Sequence, residues 1–489
     1  TFTLSVWMKR PKLGRNNDLW TPYRGGDGGN ESRIQIQSDD QMRIYDSGGS
    51  SGYPVVRTKA RLRDTNAWYH LVYAIDTTQA TDSNRVKLYI NGVHQEVDTS
   101  GFHQWPNQNI ELGFNNNHYH RLGAYGQSTN ASDATGNLSS EYLAELYVID
   151  GQQLTPATFA ETNADTGQWM PKNNADVKAA VTFGTNGFYL NFSDNSDTTA
   201  TTLGKDYSGN GNNWTPYNFS VAAGSGNDSL EDTPTNNFPT LNPLAPFGTT
   251  APSLSNGNLD FTMTTNNMYP MSTFTIPKSG KWYVEIVFTA FGNGGVIQVS
   301  NPVFQQNSSG ANRHNGINYY SSQINVDNSS VQTGVTTLAV NNIIGICIDR
   351  DAGTVLLKNN NSDVGSAVNL SSFSDATDLV VAVGRNSSHG SDVSGNFNFG
   401  QRPFNYTPPT GFKALCSANL PNPTILLPNK HFDTLLFTAN ASTQVVTGLN
   451  FQPDLVWGKS RDDAYDHELY DSIRGALKRL TSNATDNEL

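Results

Sequence analysis

The sequence predicts an all-β protein made of tandem β-sandwiches, and three observations carry that prediction. Apolar residues recur at period two through most of the patterned stretches, the spacing of a strand with one buried face. The chain is rich in Asn, Gly, Ser and Thr, with 43 Gly among 489 residues, and these residue types favour turns and strand ends over long helices. Aromatic residues make up 10% of the chain, a supply of rings for filling interiors that a disordered chain lacks. At roughly 150 residues per domain, the length allows about three domains.

The elements follow in order. Phe2, Leu4, Val6 and Met8 form one face of a first strand that ends at the basic pair Lys9 and Arg10. Trp68–Ile75 is apolar on both faces, which predicts a central strand between two layers. Val86–Ile90 and Val93–Val97 flank Asn91 and Gly92; this dipeptide closes hairpins because a type I′ turn needs positive φ at both central residues. Tyr142–Ile149 predicts a further strand. Asp150 and Gly151 then turn the chain into Leu154–Phe159, where Thr155 can cap and Pro156 can take the first position of a short helix. Residues 171–258 are turn-rich and thin in apolar residues, with one short strand at Gly187–Phe192. From Leu259 the alternation returns. Trp282, Val284, Ile286 and Phe288 share a strand face, Ile343–Ile348 leads through the turn Asp349–Gly353 into Thr354–Leu357, and Leu379–Val383 is a further buried strand.

These pieces carry family resemblances. "SVWMKR", "WYHLVYAIDTT", "RVKLYINGV" and "LSSEYLAELYVIDGQQLTPATFAE" resemble a laminin-G/concanavalin-like jelly roll covering 1–170. The resemblance places the first strand or two of that sandwich upstream of Thr1, and the chain is expected to be a piece of a longer polypeptide. "GFYLNFSDNS", "LGKDYSGNGNNWTP" and "GNDSLEDTPTNNF" are similar to the linker of large virion-appendage proteins of tailed bacteriophages, marine ones especially, and 171–258 is expected as an extended linker. "GKWYVEI", "IGICIDRDAGTVLLKNN" and "NFGQRPFNYTPPTGF" resemble the SPRY fold, a bent β-sandwich used to bind partners, over 259–420. Residues 421–489 resemble a recurring phage-appendage domain and are expected as the start of a third module, truncated before it closes a core. The fold class is therefore a concanavalin-like jelly roll followed by a SPRY-like bent sandwich, with a partial third module.

Composition narrows the function. Lys+Arg 31 against Asp+Glu 43 gives a net charge of −12 with no basic footprint, so no nucleic-acid partner is expected. Charged residues make up only 15%, and this thinly spread charge speaks for solubility. No apolar stretch approaches the ~18 residues of a membrane span. Cys347 and Cys416 each sit in an apolar run and read as two reduced, buried thiols, too few for a disulfide framework or a zinc site. Reduced thiols fit synthesis in a host cytoplasm.

The concanavalin-like resemblance raises the question of glycan cleavage, because laminarinase-like members of that fold carry an E-x-D-x-x-E strand. The nearest match is Glu96-Val-Asp98-Thr-Ser-Gly101, with Gly101 where the last Glu belongs; Glu96 and Asp98 would share a face at roughly 7 Å. Glu145 and Asp150 would point to opposite faces, and Glu141 and Glu145 would lie roughly 13 Å apart on one face. No catalytic residue is assigned. His118 and His120 face one way in an extended stretch, but no Cys, Asp or Glu follows nearby to complete a shell. Asp27, Asp194 and Asp197 lie in loops without the spacing of a calcium site. No metal and no cofactor is expected. In the last segment, His467 and Asp471 become neighbours only if "DSIRGALKRL" extends back as a helix, and with Lys459, Arg461 and Arg474 they are read as a structural network.

A lectin site needs an exposed ring beside amides and carboxylates on a rigid scaffold. Trp20, Tyr23, Trp105, His118, Tyr119, His120 and Tyr125 have that setting in the first module, and His314, Tyr319 and Tyr320 in the SPRY-like block; the alternative for each ring is packing the sandwich rim. The expected function is that of a non-enzymatic structural protein on the virion surface, a tail fibre or spike that binds a host-surface glycan or protein. A scaffold that binds other virion proteins and a polysaccharide depolymerase are the alternatives. The resemblance to phage fibres implies a homo-oligomer.

Overall fold

The computed structural model describes residues 1–23, 31–47, 53–114, 116–126, 138–245, 251–265, 268–291, 294–302, 316–327, 329–385, 392–475, 477–485 and 488. The first sandwich is built from β1 (Phe2–Lys9), β2 (Asn17–Tyr23), β3 (Ser32–Ile36), β4 (Gln41–Asp46), β5 (Val55–Arg61), β6 (Trp68–Ile75), β7 (Val86–Ile90), β8 (Val93–His94), β9 (Tyr119–Leu122) and β10 (Tyr142–Asp150). One sheet runs β10-β1-β6-β7-β8 with Phe188–Leu190 added outside β10; the other runs β5-β4-β3-β2-β9. The period-two faces meet between them. Leu4, Val6 and Met8 of β1 and Leu71, Tyr73 and Ile75 of β6 pack against Ile34, Ile36, Met42, Ile44 and Val56. Asn91 and Gly92 turn β7 into β8 with φ of 47° and 83°, the two left-handed positions that the dipeptide supplies. Pro156 opens a single 3₁₀ turn, Pro156–Thr158, and the Thr155 side chain makes no capping bond.

β6 is apolar on both faces because a second layer covers the six-stranded sheet. Tyr147 and Ile149 of β10 and Tyr189 bury against Phe159, Val177 and Phe183. Trp7 stacks on His70, with ring centroids 4.9 Å apart, beside Trp68 and Trp169.

In the second sandwich, one sheet contains Ser253–Ser255, Asp260–Met263, Val393–Asn398, Lys281–Phe291, Ile343–Asp349 and Thr354–Asn359 in that spatial order, with short strands at its far edge. The other contains Ser329–Thr333, Gln323–Val326, Gly316–Tyr320, Gly295–Ser300 and Val380–Arg385. Trp282, Val284, Ile286 and Phe288 share the buried face, as their spacing predicts, and meet Ile297, Val299, Ile317, Tyr319, Val381 and Val383. Cys347 and Cys416 are free and buried, and burial pushes the Cys347 thiol up to about 12.

The described residues of 171–258, a segment expected as an extended linker, are instead packed into both sandwiches. Asn174–Ala180 is a helix whose N-cap, Asn173, accepts from the Ala175 amide. Phe188–Leu190 joins the first sandwich, and Trp214 lies 5.0 Å from the Phe188 ring. Phe238 and Leu241 enter the second core, and Ser253–Ser255 joins its sheet. Side-chain acceptors replace apolar burial here: Asp206 accepts from the backbone of Tyr189, Ser208 and Asn212. A low apolar count therefore misleads when carboxylates bind the backbone.

Lys9 ties this segment to β1. Its Nζ donates to Asp232 Oδ2 at 2.8 Å, Asn237 Oδ1 at 2.8 Å and the Phe238 carbonyl at 2.7 Å, which uses all three ammonium protons. Trp68 Nε1 donates to Asp232 Oδ1 at 3.0 Å. Both charged side chains are sealed, at 0% and 1% exposure. Burial pulls the Lys9 ammonium down and pushes the Asp232 carboxyl up, each opposed by its partner's charge. Around this pair, Tyr142 donates to the Gly257 carbonyl and Asn258 Nδ2 to the Pro11 carbonyl.

Residues Asn422–Leu489 form a separate unit together with Thr162–Gln168. It holds a three-stranded sheet of Leu455–Gly458, Glu468–Asp471 and Leu480–Thr481, and none of its described residues is buried. The stretch read as a helix, "DSIRGALKRL", is over residues 471–475 a strand end and a turn. Asp471 Oδ1 accepts from the Ile473 and Arg474 amides, and Gly475 has a φ of 98°.

Replacing Lys9 by Met strands a buried carboxylate and is expected to cost about 3–5 kcal/mol in urea unfolding. The double variant Lys9→Met/Asp232→Leu is expected to recover most of that loss, since an apolar pair replaces buried ions at little cost. A single variant as stable as wild type would refute this role.

Candidate functional site

Alternation along β2, β3, β4 and β5 has a second consequence. Ile34, Ile36, Met42, Ile44 and Val56 point into the core. Their neighbours Arg33, Gln35, Arg43, Tyr45 and Arg57 therefore lie on the sheet face directed away from it. The pairing aligns them: Arg33 lies opposite Tyr45, Gln35 opposite Arg43, and Arg43 opposite Arg57. β9 extends the same face, with Tyr119 opposite Tyr23 and Arg121 opposite Thr21.

One end of this face is aromatic. Tyr119 is 58% exposed beside the half-buried Tyr23. The Arg33 guanidinium lies 3.8 Å from the Tyr125 ring centroid. Arg33 Nη2 donates to Glu31 Oε2 at 2.7 Å, and the Tyr125 hydroxyl donates to Glu31 Oε1. Asp18 lies 3.7 Å from Arg33 Nη1. Rings, a carboxylate and a guanidinium are thus held together on paired strands, the set of groups that a sugar's C–H faces and hydroxyl edges require.

The structure divides the residues proposed from sequence. Tyr23, Tyr119 and Tyr125 come together on this face. Trp20 does not; it is 2% exposed in the core, edge-on to Phe2 and 5.3 Å from Phe114. A register shift between Asp18 and Trp20 turns its ring inward. His120 lies on the core side of the rim. Its Nδ1 accepts from Trp20 Nε1 at 3.0 Å and its Nε2 bonds the Asn116 carbonyl oxygen at 2.8 Å, so both nitrogens are committed. His118 precedes β9 and is half-buried. Trp105 is half-buried against the core, edge-on to His103. Tyr319 is wholly buried and donates to the Thr336 carbonyl, while Tyr320 is half-buried and donates to Gln323. His314 and Asp27 lie outside the described residues. Sequence reasoning missed Arg33, Arg43, Tyr45, Arg57 and Arg121, although the polar phase of the same alternation marks the four that lie on β3, β4 and β5.

The carboxylates are committed elsewhere. Lys59 Nζ donates to Glu96 at 2.9 Å. Asp98 accepts from Gln41 Nε2 and Ser100 and lies 3.6 Å from Arg57 Nε, contacts that hold its carboxyl well below the usual range. Gly101, in place of the third carboxylate of the glucanase pattern, lies against the Arg57 guanidinium, where even a Cβ would meet Nη2. Glu145 occupies a β-bulge at φ 48° and accepts from the Tyr147 and Tyr189 hydroxyls; burial raises its pKa. Asp194 and Asp197 accept from their own turns. In the last unit, His467 Nδ1 accepts from Trp457 Nε1 and Asp471 pairs with Arg474, so the two do not form an acid–base couple.

One Ser–His pair has the outline of a nucleophile and base. Ser5 Oγ lies 2.8 Å from His70 Nε2. Trp169 Nε1, however, donates to Nδ1 at 3.1 Å, which leaves the ring proton on Nε2 and makes His70 the donor to Ser5. Burial lowers the His70 pKa to about 3. The pair is a structural clasp.

Residues 1–140 match the family model described as the concanavalin A-like lectin/glucanases superfamily. Residues 427–489 match a domain of unknown function, DUF7483. No curated protein sequence matches the chain significantly. Among solved structures, the chain is similar to the SPRY domain of human HERC1, at 20% identity over 30% of this chain and 91% of that one, with a TM-score of 0.25. It is also similar to the TRIM65 PSpry domain, at 9% identity over 33% and 92%, TM-score 0.25. A third is the native heptameric SAP-like pentraxin from Limulus polyphemus, at 15% identity over 32% and 65%, TM-score 0.22. The chain is a tandem β-sandwich protein, and its first module resembles the concanavalin A-like superfamily.

His70 gives a pH signature. The unfolded imidazole titrates near 6.5 and the folded one near 3, so the unfolded chain binds the extra proton between those values. The stability tied to the neutral ring is complete above about pH 6.5 and is lost as pH falls toward 3. At pH 4.5 the expected loss is about 3 kcal/mol. Urea unfolding of wild type and His70→Gln at pH 7 and 4.5 reads this difference, and the His70 ring resonances should stay those of the neutral form down to pH 4.5.

Proposed function

We propose that the chain is a non-enzymatic adhesion protein whose first sandwich holds saccharide on the outer face of its five-stranded sheet. In this reading it is a tail-fibre or spike-like appendage on a bacteriophage virion, made in the host cytoplasm and deployed at the particle surface. It would contact a host-surface glycan or protein and other virion proteins. The observation that carries the binding part is the Tyr23–Tyr119 pair beside Tyr125, Arg33 and Glu31 on one rigid sheet face. The phage assignment rests on the resemblance of 171–258 and 421–489 to virion-appendage proteins.

Adhesion by weak sites suits such an appendage, because several copies on one particle raise the effective concentration of each site for the next sugar. A hydrolase needs two carboxyl groups facing one bond. Among the described residues, Glu96, Asp98 and Glu145 are each engaged with a cation or with phenols. A second reading, a scaffold that binds other virion proteins, is favoured by the last unit, where Trp457 is 63% and Ile473 95% exposed.

Purified chain applied to host cells and to a glycan array tests the proposal. Tyr119→Ala is expected to weaken glycan binding roughly 2- to 10-fold, the scale of one ring contact, with the melting temperature unchanged because the ring is exposed. Binding to neither cells nor glycans, with tight binding to a virion protein, would select the scaffold reading.

A further inference from the structure

Arg43 and Arg57 are Cα partners on β4 and β5. Like charges placed directly opposite on one face repel. Such a pair is usually relieved by a carboxylate on each member, and here only Arg57 has one, Asp98. Arg43 makes no hydrogen bond or ion pair among the described residues. Its guanidinium lies 4.5 Å from the Tyr45 ring centroid, with Nε buried and unpartnered. Among the described residues the Arg57 side chain makes no hydrogen bond, and Asp98 lies 3.6 Å from its Nε. Arg33, one strand further, is already held by Glu31 and Asp18.

The pair is also built into the backbone. The register of β5 shifts directly beyond Arg57, where the Met42 amide donates to Thr58 Oγ1 at 3.2 Å and Thr58 closes onto the Ala60 carbonyl. Burial lowers the proton affinity of Arg43, and the like charges of Arg33 and Arg57 add to it against the opposing charges of Tyr45 and Asp18.

We propose that Arg43 and Arg57 form an oxyanion subsite on the outer face of the five-stranded sheet, taking the carboxylate or sulfate group of an acidic polysaccharide. This deepens the saccharide-binding reading above and rests on it. Two planar guanidiniums side by side can each offer paired N–H donors to one oxyanion, and its charge would relieve their repulsion. The protein's net charge of −12 repels polyanions at long range, so anion binding by this chain must come from a local site.

Affinity electrophoresis of the full chain in gels containing dextran sulfate, alginate or unmodified dextran tests this. Dextran and dextran sulfate share a backbone, so their difference reads the sulfate; alginate reads the carboxylate. Wild type is expected to be retarded by one or both acidic polymers, and Arg43→Gln to need at least ten times more polymer for the same retardation. Arg57→Gln should show a smaller loss. Arg43→Gln should melt at or above the wild-type temperature, since it removes a like-charge pair, which separates loss of the site from loss of fold. Equal retardation of Arg43→Gln and wild type would overturn the subsite. If neutral dextran or other neutral glycans bind while the acidic polymers do not, the subsite fails and the general saccharide reading stands; if no glycan of either kind binds, both fall.

Discussion

The arrangement of the molecule depends on one buried ion pair, Lys9–Asp232. An ammonium and a carboxylate out of water are costly unless each proton and lone pair is used. Here the ammonium has three acceptors, and the carboxylate takes Lys9 and the Trp68 indole. That requirement fixes direction as well as distance, which apolar contact alone does not. It determines where the chain after the first sandwich must run: Asn237 and Phe238, which complete the Lys9 shell, lie immediately before Leu241 and the second core. The two sandwiches are joined through a polar lock surrounded by rings, with Tyr142 5.3 Å from the Lys9 charge.

This lock decides which surface is left for binding. Lys9 and Trp68 belong to β1 and β6, so the junction occupies the six-stranded sheet, whose outer face is further closed by Trp169, Phe159 and the helix Asn174–Ala180. The five-stranded sheet supplies the other wall of the core and carries the Tyr and Arg side chains outward. In the proposed reading, structural cost and binding chemistry are therefore segregated by sheet. The groups that would suggest catalysis, Ser5 with His70 and Glu145 with its two tyrosines, all lie on the committed side and are consumed in closing it.

Much of the fold is legible in the sequence because strand burial is written at period two: β1, β6, β10 and the Lys281–Phe291 strand follow their alternation. The site is only half legible, for a related reason. Alternation tells inside from outside only while the register holds. The shift between Asp18 and Trp20 sends Trp20 inward while Tyr23, three residues on, stays outward. Tyr319 and Tyr320 are chemically alike, and only strand phase separates the buried ring from the half-buried one. The arginines were readable as the complement of Ile34, Ile36, Met42, Ile44 and Val56, but a search for rings passes over them. The 171–258 stretch was illegible because Asp206, Asp232 and Asn258 pin it by hydrogen bonds, which leave no hydropathy signal.

A face of this kind makes physical sense only if it is stiff. A weak saccharide site gains from repetition when the loss of freedom on binding is small, and that loss falls when the binding groups are already fixed. Tyr23, Tyr119, Arg43 and Arg57 project from paired strands and not from loop tips, and Arg33 clamps Tyr125 through Glu31. The stacking and repulsion on this face are thus set before any ligand arrives. A rigid surface that keeps two guanidiniums opposed has stored, in its own geometry, the demand for a negative group.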